Sequence, residues 1–425
     1  MPKYISIIFV GVFTSFYFFP FEFTFLPGIN TKLILAILGA ILFFVNMARQ
    51  GESLINKNFF ITILLACGVS LASLFSMVIN GTYDDTYVSY IISMLVWTYA
   101  AYLIICLIKN VHSKVTVEII CFYLIGVCSI QCILAILIDT YPVIKSLVSS
   151  FLWDFTGFKG IDGGRLYGIG SAVDIAGTRF SCVLLMIAVL LPHILERKKR
   201  ISYIVFLLIA FFIISIIGNM IGRTTTVGLV LSLLYLLFSI IFGDLNSKNR
   251  LLLIKWILIF LFLFIIVSCI LYFSDLRWKY YFEFGFEGFF SLFTKGKWEV
   301  HSNEMLFNHF VFPDNIRCWL IGDGYFSSPN NDPSYIGPIF DYYMGTDVGY
   351  CRFIFYFGLI GLSIFSLFMC KVCSICVTYF NEYKWLFIGV LAINFIVWFK
   401  VSTDIFIVFA PFLALNMDGK CISNK

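Results

Sequence analysis

Charge is what this sequence has least of. Asp, Glu, Lys and Arg make up 12% of its 425 residues, about half the roughly 25% of an ordinary soluble domain. Histidine occurs only four times. A soluble chain of this size could not hide its apolar surface from water. The composition therefore excludes a soluble enzyme, a secreted disulfide scaffold and a nucleic-acid binder. No gap between the apolar runs is long enough for a soluble cytoplasmic domain, so a nucleotide-binding or kinase-like module is not expected. An ATP-driven pump would need its motor from a separate subunit. No internal repeat and no low-complexity tract is present. The first apolar run follows Lys3 and ends in Phe-Pro-Phe-Glu-Phe without a small-residue cleavage site, so it reads as a retained span and not a signal peptide.

Apolar length is what the chain has in abundance. Residues of the AVILMFWYC set make up 61%, Phe alone occurs 50 times, and the mean hydropathy is +0.97. A membrane-crossing helix needs about 20 mostly apolar residues. That ruler places spans near 4–20, 32–48, 59–79, 89–108, 117–138, 179–195, 203–218, 224–242, 252–273, 349–370, 385–399 and 404–417. The expected fold class is an all-α polytopic integral membrane protein with about 12 transmembrane helices in one transmembrane domain, 1–425. Lys400 and Asp404 mark the turn of a short final hairpin.

The positive-inside rule gives the orientation. With the N-terminus inside, the cytoplasmic loops carry Arg49, Lys57, Lys109, Lys114, Arg197-Lys198-Lys199-Arg200, Lys248, Arg250, Lys371 and Lys384, while the opposite side carries Asp84-Asp85 and most other acids. Both termini are then cytoplasmic. The net charge of +5 follows from this asymmetry and does not indicate an anionic partner.

Thirteen cysteines fall mostly in the spans, where they behave as small apolar residues. Cys370-x-x-Cys373-x-x-Cys376 lacks a His or fourth Cys to complete a metal site, and no metal is expected there. Asn80-Gly81-Thr82 matches a glycosylation sequon too short to carry weight.

Two outer segments are long, 139–178 and 274–348, the larger lying before the last three spans. Both are rich in aromatic residues, as in Trp278-Lys279-Tyr280-Tyr281-Phe282, so both are expected to fold as caps on the membrane surface. The second is expected to contain amphipathic or re-entrant helices.

Polar chemistry collects at the outer ends of the spans. Gly164-Arg165-Leu166-Tyr167-Gly168 closes the first loop, and Arg179 begins the next span. The Gly-x-Gly of this stretch lacks a preceding strand and a P-loop lysine, so it does not read as a nucleotide cradle. Arg223, in Gly222-Arg223-Thr224-Thr225-Thr226, sits at membrane depth between spans that leave almost no loop. Ionisable residues there usually face a cavity and carry function, although a structural arginine at a tight turn and an interfacial anchor at Arg179 are the plain alternatives. Asp347 and Arg352 bracket the start of the span at 349. A carboxylate suits a helix N-terminus, whereas a cation there opposes the helix dipole and is expected to have an anionic partner. Arg165, Arg179, Arg223 and Arg352 together offer four planar forks that suit phosphate oxygens, an anion pathway or ion pairs with Asp174, Asp323 and Asp347. His301 and His309, in the outer loop beside Glu299 and Glu304, are candidate general bases, with Asp347 the stronger candidate. His112 and His193 fall on the inner side.

At these residues the chain resembles the bacterial O-antigen polymerases, relatives of the O-antigen ligases. The matching pieces are Gly164–Gly168, Gly222-Arg223-Thr224, Ile321-Gly322-Asp323-Gly324-Tyr325 and Thr346-Asp347-Val348-Gly349-Tyr350-Cys351-Arg352 running into Phe357-Gly358-Leu359-Ile360-Gly361. The resemblance covers most of the chain by layout and some of it by motif. It implies a glycosyltransferase of the bacterial inner membrane, working on the periplasmic face without cofactor or metal. The donor would be a growing glycan on undecaprenyl diphosphate and the acceptor a lipid-linked oligosaccharide repeat unit. The product would be O-antigen or a similar surface polysaccharide. The four arginines would hold the diphosphate, Asp347, His301 or His309 would take the acceptor proton, and Asp323, Tyr325 and Tyr350 would contact sugar. Implied partners are membrane lipid, a chain-length regulator and a flippase. The ligases tend to carry a His-containing motif where this chain has Thr346–Gly349, which favours a polymerase over a ligase. A transporter or flippase for lipid-linked sugars is the alternative from another class. Many transporters show two similar halves, and the missing repeat counts against it.

Overall fold

The computed structural model describes residues 3–50, 57–153, 165–197, 201–243, 245–297, 299–300 and 309–417. Among these residues the structure is helical, with no strand beyond isolated bridges. In chain order the helices are α1 (Lys3–Phe18), α2 (Thr31–Gln50), α3 (Lys57–Asn80), α4 (Tyr90–Val111), α5 (Val117–Thr140) and α6 (Pro142–Phe151). There follow α7 (Val173–Glu196), α8 (Ile201–Ile221), α9 (Thr225–Phe242), α10 (Ser247–Ser274), α11 (Leu276–Gly285) and α12 (Glu287–Lys295). The chain closes with α13 (Ile316–Ile321), α14 (Gly349–Tyr379), α15 (Lys384–Val397) and α16 (Phe406–Met417).

All twelve expected apolar segments are helical. Nine of the described helices are long and apolar enough to cross a membrane, so this is a multi-pass membrane protein. The other three segments form shorter helices, α1 with 16 residues, α15 with 14 and α16 with 12. Polar side chains fix several starts. Thr116 accepts from the Ile119 amide ahead of α5, Asn246 from Asn249 ahead of α10, and Asn315 from Cys318 ahead of α13. Each satisfies an amide that the first helical turn leaves open. Among the described residues, segment 139–178 holds the short helix α6 and segment 274–348 holds α11, α12 and α13.

The chain forms two compact units. The first comprises Met1–Leu35 and Leu103–Trp298. Its centre is α7, buried on every side along most of its length, as a helix apolar all round should be. By contrast, α10 buries little besides Leu253 and Phe260 and presents an apolar surface suited to lipid. The second unit comprises Ala36–Tyr102 and Glu299–Lys425. Its core is aromatic: Tyr87, Phe353, Phe357, Phe365 and Trp398 meet mostly edge to face. That geometry favours the ring quadrupoles.

Within this unit α14 is interrupted. Gly358 takes φ +65°, and a Cβ there would lie 2.2 Å from the Leu320 carbonyl oxygen, so only glycine fits. The break frees carbonyls of the preceding turn, and each finds a donor. Phe355 accepts from the Asp323 amide at 2.6 Å, and Tyr356 from the Gly324 amide at 3.1 Å and the Ser76 hydroxyl at 2.7 Å. Irregular backbone at membrane depth persists only where such partners are built in. The Gly322-Asp323-Gly324 and Phe357-Gly358 motifs are thus two sides of one contact.

Candidate functional site

The arginine-bearing turn of the first unit is built by close packing. A Cβ at Gly222 would lie 2.3 Å from the Val173 carbonyl oxygen, so glycine lets this turn rest against the start of α7. The three threonines close it. Thr224 donates to the Asp174 carbonyl at 3.2 Å, Thr225 to the Gly218 carbonyl at 2.9 Å and Thr226 to the Asn219 side chain at 2.7 Å. With the hydroxyls committed to the fold, Arg223 is the functional group the turn presents.

Its guanidinium bonds the carboxylate of Glu287 on α12 and lies 4.1 Å from the centre of the Phe284 ring on α11. Arg165 reaches the same ring at 4.8 Å, positioned by the Leu166 amide, which donates to the Met220 carbonyl at 3.2 Å. Two cations therefore share one aromatic ring, with the Glu287 carboxylate bonded to Arg223 and Asp174 acting on it electrostatically. Burial lowers the Arg223 pKa from its ordinary value, Glu287 opposes this, and Arg165 adds to it. A guanidinium stays charged under all such shifts. Phe284 and Glu287 were not legible as site residues, because their link to Arg223 bridges 64 positions.

Arg179 does not join this pair. The helix begins at Val173, earlier than the expected 179, so Arg179 lies in its second turn and is buried. Its guanidinium donates to the Phe18 carbonyl at 2.5 Å, with the Phe18 and Phe19 rings at 5.9 and 5.5 Å. A cation at the C-terminus of α1 is favoured by the helix dipole. Arg179, expected among the diphosphate-binding arginines with an interfacial anchor as the plain alternative, is thus buried against the end of α1.

The second unit holds the remaining candidates at the start of α14. Asp347 faces His309, with Oδ1 and Nδ1 3.5 Å apart, and no side chain caps this helix. His301 lies outside the described residues. Arg352 is expected to have an anionic partner; the carboxylates of Asp84 and Asp347 act on it electrostatically, while its hydrogen bonds go to neutral groups. It donates to the Phe326 carbonyl at 2.9 Å and the Ser402 hydroxyl at 2.8 Å, between the Phe326 and Tyr342 rings at 3.8 and 4.3 Å. Two π-faces and an oxygen on each side supply what a carboxylate would have. The carboxylate of Asp84 in turn accepts the Phe326 and Ser327 amides at 2.8 Å each, so Arg352 clamps a loop held from both sides.

Asp323 and Tyr325 fall in one cluster with Asp332, Tyr335 and Tyr343. Tyr343 donates to Asp323 at 3.2 Å and Tyr325 to Asp332 at 2.7 Å, and the two phenol rings stack at 5.1 Å. Burial, then the neighbouring carboxylates, push both phenols well up, so they remain neutral donors. Hydrogen bonds from Ser334 and Tyr325 pull the Asp332 carboxyl down. Half-exposed stacked rings beside carboxylates suit the apolar faces and hydroxyls of a sugar. Tyr350 lies apart from them. It donates to the Phe395 carbonyl at 3.0 Å and packs on Trp398 and Phe399, tying α14 to the end of α15.

Among the described residues no group of three or more His, Cys, Asp or Glu could hold a metal ion. No protein-family model, curated protein or solved structure matches this chain.

Proposed function

We propose that the protein is a polysaccharide repeat-unit polymerase of the bacterial inner membrane, acting at its periplasmic face. It would transfer a growing glycan from undecaprenyl diphosphate to a hydroxyl of a lipid-linked repeat unit. The bond between the anomeric carbon and the phosphate oxygen breaks, the acceptor oxygen takes that carbon, and undecaprenyl diphosphate leaves as an anion. The observation that carries this reading is the Arg165–Phe284–Arg223 arrangement. Two fixed guanidinium forks suit a diphosphate and stabilise the charge it gains on leaving. Within the second unit, taken by itself, the carboxylate of Asp347 lies on His309 Nδ1, an arrangement that leaves Nε2 to accept a proton. The Tyr325–Tyr343 cluster of that unit suits the faces of a sugar ring.

The test is reconstitution with a lipid-linked repeat unit and a gel readout of chain length. Arg223→Ala and Arg165→Ala are each expected to lower elongation by roughly 100-fold or more, as removal of one charge-stabilising donor does. Long chains from both variants would overturn the assignment. The interrupted α14 favours a second reading, since transporters bind substrate at broken helices. A transporter would carry the lipid-linked sugar across the vesicle membrane and build no ladder.

A further inference from the structure

An apolar groove of about 460 Å3 runs between α1 and α5 of the first unit. Gly11 and Val12 line one wall, and Gly126 and Ile130 the other. Glycine is a poor helix former, and in membrane helices it usually lets a neighbouring backbone approach. Neither glycine does so here: a Cβ at Gly11 or at Gly126 would meet no atom within 4 Å. Both instead leave open space, and that space is the groove. Along α5 it extends from Phe122 to Leu134, about 18 Å.

One end of the groove is polar. Gln131 and Ile169 line it, and the Ile169 amide donates to Gln131 Oε1 at 2.9 Å while Gln131 Nε2 donates to Ser15 at 3.1 Å. Tyr167 and Ile169 also pack on Ile138, Val148 and Leu152, which fixes this stretch of chain. Arg165 is four residues upstream of Ile169, so the guanidinium pair begins at most roughly 14 Å of chain from the groove's end.

We infer that this groove holds the isoprenoid tail of a polyprenyl diphosphate whose headgroup sits on Arg165 and Arg223. The inference rests on the diphosphate reading above. An apolar channel whose polar end at Ile169 lies four residues along the chain from Arg165 complements a long hydrocarbon that carries a dianionic or more highly charged head. A phospholipid offers the hydrocarbon but only one phosphodiester charge.

The test is equilibrium binding of labelled undecaprenyl diphosphate to the purified full chain. Gly126→Leu and Gly11→Leu place a side chain in the groove where a Cβ meets no atom within 4 Å and replace a poor helix former, so both are expected to fold with a Tm no lower than wild type. Each is expected to bind at least tenfold more weakly, while Gly126→Ala, which leaves the channel open, stays within about twofold. Unchanged affinity in Gly126→Leu, or displacement by equimolar phosphatidylglycerol, would overturn the groove assignment. Undecaprenyl alcohol separates the two readings. If the groove is right and the arginine site wrong, the alcohol binds wild type as tightly as the diphosphate and still loses affinity in Gly126→Leu. If both are right, the diphosphate binds far more tightly than the alcohol, and Arg165→Ala/Arg223→Ala removes the difference.

Discussion

Four arginines lie near helix ends, and the company each keeps decides what it does. Arg179 is taken up by a helix-terminal carbonyl and two rings. Arg179→Met leaves the Phe18 carbonyl short of a donor, at a cost of about 1–3 kcal/mol. We expect a lower Tm in detergent and, if the proposed polymerase activity holds, an unchanged chain length from the fraction that stays folded. Arg352→Lys keeps the charge but loses the flat fork that fits between Phe326 and Tyr342, so a comparable loss of Tm is expected. Arg223 bonds the Glu287 carboxylate and shares the Phe284 ring with Arg165. The tyrosine cluster adds a pH window. Asp332 has a depressed folded-state pKa, so its contribution is present above about 4 and fades as pH falls through the folded value. Tyr325 and Tyr343 are raised, so theirs is present below about 10 and fades as pH rises. Tyrosine fluorescence should hold steady between these limits and change outside them. Asp332→Asn should remove the acidic limb.

At the scale of elements, helix existence was legible because apolar runs of membrane length admit little else. The interruption of α14 was not. Whether Gly358 bends or continues a helix depends on the Leu320 carbonyl and the Asp323 and Gly324 amides, brought up by a distant segment. The same limit applied to Arg352: sequence spacing showed a cation at an unfavourable helix end but not the Phe326 and Tyr342 faces that accommodate it. The start of α7 is set by a related effect: polar residues such as Asp174 and Thr178 read as loop in the sequence, whereas local bonds keep them helical, Thr178 donating to the Asp174 carbonyl at 2.7 Å. Gly358→Ala places a methyl against the Leu320 carbonyl in a backbone region that disfavours it, and should cost about 1–3 kcal/mol or more. Thermal unfolding measures it, and a variant as stable as wild type would mean that the break is not needed.

For the whole molecule, the charge asymmetry predicts which ends face the cytoplasm, an orientation open to direct test. Ile336 is almost fully exposed in the larger outer segment, and Lys248 is exposed at the start of α10. In intact cells a membrane-impermeant thiol reagent should label Ile336→Cys and leave Lys248→Cys untouched until the cells are opened, against a background lacking other reactive cysteines. The reverse pattern would invert the orientation and with it the periplasmic site.

One wall of the groove is unusually short. With 16 residues, α1 rises about 24 Å, less than the roughly 30 Å hydrocarbon thickness of a bilayer. Ile5 and Phe9 are exposed away from the groove, and a bilayer around so short a helix is expected to thin. If the groove takes a polyprenyl tail, bilayer thickness becomes a control on its entry: the proposed activity in vesicles should fall as the phospholipid acyl chains are lengthened.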